Sequence, residues 1–109
     1  MPYKIDPNIG PKKGWMNLEI GFDNADPQTN AEMVPDVESR LAALANAGGL
    51  SGKMLLVNGA ASVPLSFVIA HKVAHLFGAV AVFDPKLSGF VIAISHDPEF
   101  KLGEVFNAS

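Results

Sequence analysis

The sequence contains no cysteine, and this absence excludes two kinds of structure. Without thiols the chain cannot form disulfides or hold a structural zinc ion through thiolates, and it suits a reducing cytosol. Its apolar runs are all well short of the roughly 18 residues of a membrane span. The first ten residues hold no apolar stretch typical of a signal peptide. We therefore expect a cytoplasmic protein that does not engage a membrane.

Positive charge is also scarce. Eight Lys and Arg residues stand against eleven Asp and Glu residues, which gives a formal net charge of −3. General binders of long nucleic acid normally carry a basic excess, so we expect no long duplex as a partner. A short anionic ligand held by a few positioned groups stays open. Because 49 % of the residues are hydrophobic, we also expect some surface to be covered by self-association.

The first half of the chain predicts the beginning of a single α+β domain over residues 1–109. Residues 1–14 hold three prolines and two glycines and indicate an extended N-terminal arm. The partial alternation over residues 15–22 predicts a strand. A helix is then predicted with Pro35 in its first turn and with residues 48–49, both glycine, at its end.

The second half predicts a strand, a buried helix, a second strand and a returning strand. The first strand closes at Asn58-Gly59, and the helix has Pro64 near its start and Gly78 just past its end. Strand, helix and strand in this order form a parallel βαβ unit. The five-residue turn 85–89 makes the next strand antiparallel. The predicted fold is a ferredoxin-like two-layer α+β sandwich with a mixed sheet.

This topology places polar residues at the carboxyl edge of the parallel strands. Asn58 and Asp84 both end such strands, and Lys86 follows in the turn. The start of the second helix points to the same edge, where free backbone N–H groups after Gly59 favour an anion. Asn58-Gly59 lacks the spacing of a phosphate loop, and an Asp before proline is also a common turn opener.

All three histidines belong to the opposite edge. His71 and His75 are four residues apart, which predicts one helical face, and His96 ends the returning strand near His75. Two convergent imidazoles are a common acid–base or metal constellation, whereas a single histidine on an apolar helix more often belongs to a core or an interface. A strand of six residues spans roughly 20 Å. One small ligand therefore cannot touch both Asp84 and His96 of one protomer. Either the edges have unrelated roles, or the ligand lies between subunits.

Three stretches carry a resemblance to a known family: AHKVAH at 70–75, VFDPKLSG at 82–89 and ISHDPEFKLGEVF at 94–106. Over about residues 52 to 106 the chain resembles the small ring nucleases of type III CRISPR systems, specifically the ferredoxin-like, manganese-dependent family. That family cleaves cyclic tetra-adenylate, the second messenger of the type III response, and is also described as acting on the 3′ adenosines of RNA. Its members form dimers that stack head-to-tail around the ligand.

The resemblance implies roles for individual residues. His75, Asp84 and His96 match the catalytic positions, and the same three are candidate ligands of a divalent metal, with Mn²⁺ as the expected cofactor. The family typically has arginine where this chain has Lys86, which keeps a point charge but not the bidentate fork. The predicted substrate-binding residues are Asn58, Gly59, Lys86 and His71.

The combined prediction is a phosphodiesterase that opens cyclic oligoadenylate, with cyclic tetra-adenylate as the expected ligand, to switch off type III antiviral signalling. We expect a homodimer that stacks head-to-tail into a tetramer or filament around the ring. The nucleophile stays open between a ribose 2′-hydroxyl and a metal-bound water. Two alternatives remain: a module that binds or senses the cyclic nucleotide without cleaving it, and a 3′-deadenylating exoribonuclease.

Overall fold

The computed structural model of the chain describes residues 3–22 and 30–107, which form a six-stranded mixed sheet and two helices. The strands lie side by side in the order of the chain. The central strands β2, β3 and β4 are parallel to one another, and the remaining neighbours are antiparallel. The elements are β1 (Tyr3–Ile9), β2 (Trp15–Phe22), α1 (Asn30–Asn46), β3 (Gly52–Gly59), α2 (Val63–Val73), β4 (Phe77–Asp84), β5 (Gly89–Ser95) and β6 (Val105–Asn107).

The predicted fold class is confirmed. Strand β3, helix α2 and strand β4 form the parallel βαβ unit, and β5 returns antiparallel to β4. Both helices pack on one face of the sheet, where Val37 and Leu41 of α1 and Leu65 and Ile69 of α2 join one core cluster with residues of the strands. This layering is compatible with a ferredoxin-like α+β sandwich. Within the described residues neither helix has the length and apolar character needed to cross a membrane.

Helix α1 differs from its prediction at one end and agrees at the other. It begins at Asn30, so the expectation that Pro35 lies in its first turn is wrong, and this proline lies inside the helix. The apolar residues that α1 buries on the sheet outweigh the missing proline N–H. The predicted glycine end is confirmed. Gly48 has φ +78° and Gly49 donates its N–H to the Leu44 carbonyl at 2.9 Å, as in a Schellman motif.

Helix α2 is shorter and less buried than predicted. It ends at Val73, and Gly78 lies inside β4 rather than just past the helix. A side chain at Gly78 would approach the Lys53 carbonyl oxygen to 2.9 Å, so strand packing is what requires this glycine. The apolar composition of α2 predicts a largely buried helix. This prediction is wrong on one side of the helix, where Val63 and Phe67 are 70 % and 73 % exposed.

Part of the segment predicted as an N-terminal arm, Tyr3–Ile9, is extended and belongs to the sheet, whereas residues 10–14 form the turn to β2. Strand β1 pairs antiparallel with β2 along its whole length. Tyr3 and Ile5 are buried in the core under the helices, whereas Lys4 and Asp6 between them are exposed. This alternation has the period of two expected for a strand with one buried face. The buried residues hold β1 in place as the edge strand of the sheet.

A second, smaller core covers the sheet face opposite the helices. It contains Met54, Leu56, Ala79, Ala81, Ile92 and Phe100, with Trp15, Phe90 and Phe106 packed against it. The loop after β5 brings Phe100 onto this face, where its ring meets that of Trp15 edge-to-face at 6.1 Å. The sheet is therefore buried on both sides near this loop, although helices lie on only one side.

A partly buried polar contact joins β1 to α1. The Tyr3 hydroxyl donates a hydrogen bond to Asp36 Oδ2 at 2.7 Å. Burial, and then the hydrogen bond to the Asp36 carboxylate, raise the pKa of Tyr3 to about 12 from its usual value of 10.0. The fold therefore favours the neutral phenol.

We predict that Tyr3→Phe lowers the free energy of unfolding at pH 7 by about 1–2 kcal/mol, because it removes a hydrogen bond to a charged acceptor. Ionisation of Tyr3 favours the unfolded chain above pH 10, so the advantage of tyrosine shrinks between about pH 10 and 12. Urea unfolding of both proteins at pH 7 and across this alkaline range measures the difference. A stability difference that stays constant up to pH 12 would contradict the assignment.

Candidate functional site

Two histidines from distant parts of the chain stack at one edge of the sheet. The ring centroids of His75 and His96 are 5.4 Å apart, with an angle of 23° between the ring planes. Both side chains are exposed. The predicted convergence of these two residues is therefore confirmed, and both rings are accessible to a ligand.

Local backbone contacts set the position of each ring. His75 lies in the turn after α2, where Leu76 donates its N–H to the Val73 carbonyl at 3.0 Å. His96 follows β5 directly and donates its N–H to the Gly78 carbonyl at 2.8 Å, which continues the pairing with β4. The turn after α2 and the end of β5 thus meet beside the same strand, β4.

The loop that follows His96 is held by a side chain next to that histidine. The Ser95 hydroxyl donates to the Phe100 carbonyl at 2.6 Å and accepts the Asp97 N–H at 3.3 Å. Asp97 Oδ1 in turn accepts the Glu99 N–H at 2.9 Å. These bonds fix the chain on the carboxyl side of His96, so the imidazole is attached to an ordered turn.

His71 is separate from this turn. It lies in α2 and is exposed, whereas His75 lies beyond the end of the helix at Val73. The prediction that His71 and His75 share one helical face is therefore wrong, because the chain leaves the helix before His75 in order to enter β4. The role of His71 in substrate binding stays a prediction.

The four residues predicted at the carboxyl edge do lie there. The register pairs Val57 with Val82, which sets Asn58 and Gly59 beside the last residues of β4, ending in Asp84. Asn58 and Asp84 are half-buried, and Lys86 is exposed in the turn beyond.

The Asp84 carboxylate is engaged in its own turn. Its Oδ1 accepts the Lys86 N–H at 2.8 Å, and its backbone carbonyl accepts the Leu87 N–H at 3.2 Å. This is the arrangement of an aspartate that opens a turn. Asp84 therefore fixes the loop that carries Lys86.

Other groups at this edge modify the sequence-based interpretation. Ser62 caps α2 and accepts the Leu65 N–H at 3.4 Å, so its side-chain oxygen is engaged with the first turn of the helix. Glu19 of β2 lies directly beside Asn58 in the register, and sequence reasoning missed it. Its position in a strand with alternating residues could have placed it at this edge. A carboxylate in such a strand is ordinarily only solvated, so it did not stand out as a site residue.

An apolar cavity of about 640 Å³ lies between α2 and the neighbouring sheet face. Gly59 and Pro85 of the carboxyl edge belong to its lining, together with Ile69 and Ala70 of α2 and Val82 of β4. It is large enough for a drug-sized molecule. The carboxyl edge therefore combines polar groups with an apolar recess.

The histidine pair and Asp84 are at opposite ends of β4. The His96 N–H is bonded to the Gly78 carbonyl, and Asp84 lies six positions further along β4, or roughly 20 Å at about 3.3 Å per residue. Across residues 3–22 and 30–107, no three His, Cys, Asp or Glu side chains group in a way that could hold a metal ion. One protomer thus does not assemble the three candidate metal ligands.

The fold and the paired imidazoles define a small α+β protein with two separate polar edges. Residues 28–107, well over half of the chain, match the sequence model of the family described as CRISPR-associated protein (Cas_csx3). The chain belongs to this family, and its function is CRISPR-associated. No curated protein matches the chain significantly. The matched range runs from α1 to β6 and includes all seven predicted site residues.

We predict that substitution of Gly59 lowers the stability of the fold by disturbing the end of β3, and that this effect does not depend on a ligand. Gly59 has φ +131°, and a side chain there would collide with the Ile20 carbonyl oxygen. We expect Gly59→Ala to cost about 2 kcal/mol or more in stability or to prevent folding. In Gly21→Ala, where the added carbon meets nothing within 4 Å, we expect a change below about 1 kcal/mol.

Chemical denaturation and circular dichroism of both glycine variants provide the measurement. Equal stability of the two variants would show that the backbone at Gly59 does not require glycine.

Proposed function

We propose that this protein is a ring nuclease that opens cyclic oligoadenylate, with cyclic tetra-adenylate as its substrate, and thereby switches off type III CRISPR signalling. The stacked pair of His75 and His96 is the observation that carries the proposal. Membership of a CRISPR-associated family supplies the biological setting.

Two adjacent imidazoles suit the cleavage of an RNA phosphodiester. One neutral ring accepts the proton of a ribose 2′-hydroxyl while that oxygen attacks the neighbouring phosphorus. The other ring, protonated, delivers a proton to the departing 5′-oxygen. The products are a 2′,3′-cyclic phosphate and a 5′-hydroxyl, and the pair ends with its protonation states exchanged. Attack by water is the alternative, and it would leave no cyclic phosphate at the first step.

The carboxyl edge is the proposed place of ligand binding. Lys86 presents an exposed ammonium to phosphate, and Asn58 offers an amide to phosphate or ribose. Asp84 acts through the turn, since its carboxylate holds the backbone that carries Lys86. The apolar cavity lined by Gly59 and Pro85 is suited to an adenine base.

A site that uses both edges must be shared between copies. The histidines of one protomer lie roughly 20 Å from its own Lys86 turn, so a ring held at one edge reaches the imidazoles of another copy. Head-to-tail stacking of dimers into a tetramer or filament meets this need. The exposed Val63 and Phe67 on α2 support self-association, because large apolar side chains favour burial.

The expected Mn²⁺ does not fit the residues of a single chain. His75 and His96 are together, but Asp84 is at the other end of β4, and it is engaged in its turn. A divalent ion would therefore need ligands from two copies. For this reason the proposed proton transfers are assigned to the histidines alone.

We predict that His75→Ala and His96→Ala each lower cleavage of cyclic tetra-adenylate by about 100-fold or more, because each removes one proton-transfer group. Both rings are exposed, so folding should be preserved. Glu38→Ala, an exposed substitution on α1, is the matched control and should keep wild-type turnover. Chromatography of the products, with and without manganese, is the measurement.

The same assay separates the alternatives. Near-wild-type turnover in either histidine variant would refute its catalytic assignment. Tight binding with no linear product would identify a sensing module. Trimming of linear adenylate-tailed RNA at a comparable rate would favour the exoribonuclease. Dependence on manganese would require the shared metal site.

A mixing experiment tests the shared site. Neither His75→Ala nor Lys86→Ala should be active alone. In a mixture, the intact histidine pair of a Lys86→Ala copy can meet the intact carboxyl edge of a His75→Ala copy. For random head-to-tail assembly at equal amounts we expect about a quarter of wild-type activity. The absence of rescue at every ratio, with both variants folded and exchanging subunits, would contradict a site formed between copies.

A further inference from the structure

A second cavity, with a polar lining, lies at the same sheet edge as the histidine pair. Its volume is about 380 Å³, within the range of small-molecule sites. The register aligns Trp15, Met54, Ala79 and Ser95 across the sheet, next to the start of the His96 loop. The lining consists of Lys12, Lys13, Trp15, Lys53, Glu99, Phe100, Glu104 and Phe106.

Three lysines from two parts of the chain line this cavity. Lys12 and Lys13 come from the turn between β1 and β2, and Lys53 comes from the start of β3. In the described ranges none of the three forms an ion pair, although the exposed Lys4 and Asp6 do so at 3.9 Å. Like charges collected in a recess favour an anionic ligand.

The indole of Trp15 is in contact with this positive charge. The Lys12 ammonium lies 5.0 Å from the ring centroid, in a cation–π arrangement. Edge-to-face contacts with Phe100 and Phe106, at 6.1 Å and 5.4 Å between ring centroids, fix the ring. Because the cation and the indole are neighbours, an anion bound by Lys12 lies beside the indole.

Two carboxylates complete the lining and narrow the choice of ligand. Glu99 and Glu104 face the cavity from the loop before β6, and Glu104 also accepts the Lys101 N–H at 3.3 Å. A bare polyanion gains from the lysines but is repelled by these carboxylates. A nucleotide matches both signs, because its phosphate pairs with ammonium groups while amino groups on its base donate to carboxylates. Its flat base also packs against an aromatic ring.

We infer that this cavity is a second nucleotide site, which binds the phosphate and base of a mononucleotide or of the end of a short linear oligonucleotide. Lys12, Lys13 and Trp15 precede residues 28–107, the range matched by the family. The inference does not depend on the proposed cleavage, because binding alone is involved.

The experiment uses the chain's own fluorophore, since Trp15 is its one tryptophan. Titration with adenosine 5′-monophosphate should quench the fluorescence of Trp15 with saturation. Adenosine and inorganic phosphate, each carrying half of the recognised groups, should bind about tenfold or more weakly. The double variant Lys12→Gln/Lys53→Gln should weaken mononucleotide binding by about tenfold or more.

Lys4→Gln is the matched control. Lys4 is an exposed lysine of β1 that pairs with Gly21 at the other end of β2, so its substitution should leave the dissociation constant within twofold. The fluorescence of Trp15 separates this cavity from the carboxyl edge, because Trp15 pairs with Met54 at the start of β3, whereas Gly59 ends that strand.

Several results would overturn the inference. Among them are the absence of saturable quenching up to about 10 mM nucleotide and an unchanged affinity in the double lysine variant. Inorganic phosphate that binds as tightly as the nucleotide would exclude recognition of the base. An acidic peptide that competes equally well would point to a protein partner instead. Cleavage of cyclic tetra-adenylate is measured separately, so either proposal can fail without the other.

Discussion

Parallel pairing of β2, β3 and β4 is the constraint on which the remaining structure depends. Parallel neighbours cannot be joined by a tight turn, so the chain must cross the sheet twice, through α1 and α2. These crossings bring both helices to one face, where they contact each other. They also collect the starts of the strands at one edge and their ends at the other. Polar groups then gather at the two edges, because central strand residues such as Leu55 and Val80 are buried.

Much of this arrangement could be predicted from the sequence, since topology follows from the order of strong local signals. The bounds of β2 and the approach of His96 to His75 were predicted correctly for that reason. The errors have a common cause in tertiary packing. Gly78 resembles a helix end, yet the close approach of the Lys53 carbonyl is what requires it. Apolar composition likewise could not show which side of α2, such as that of Phe67, would stay uncovered.

The cavity lined by Lys12, Lys13 and Lys53 could not be predicted from the sequence for a different reason. Its residues come from the first turn, the starts of β2 and β3, the loop before β6 and β6 itself, and the fold brings these segments together. Two adjacent lysines near a single tryptophan were the local signal. The loop with Phe100 closes this cavity, covers the smaller core and begins at His96. Packing on the sheet face and the position of the imidazole are thus properties of the same segment.

The edge strand β1 is protected against pairing with strands of other molecules. An open strand edge is a template for adding strands from other molecules, which leads to uncontrolled aggregation. Here Pro7 has no backbone N–H to offer, and Lys4 and Asp6 carry exposed charges. Such residues are typical of strands protected against lateral pairing. Sideways growth of the sheet is therefore disfavoured at β1, so the proline and the two charges of this strand keep one edge of the sheet closed to further strands.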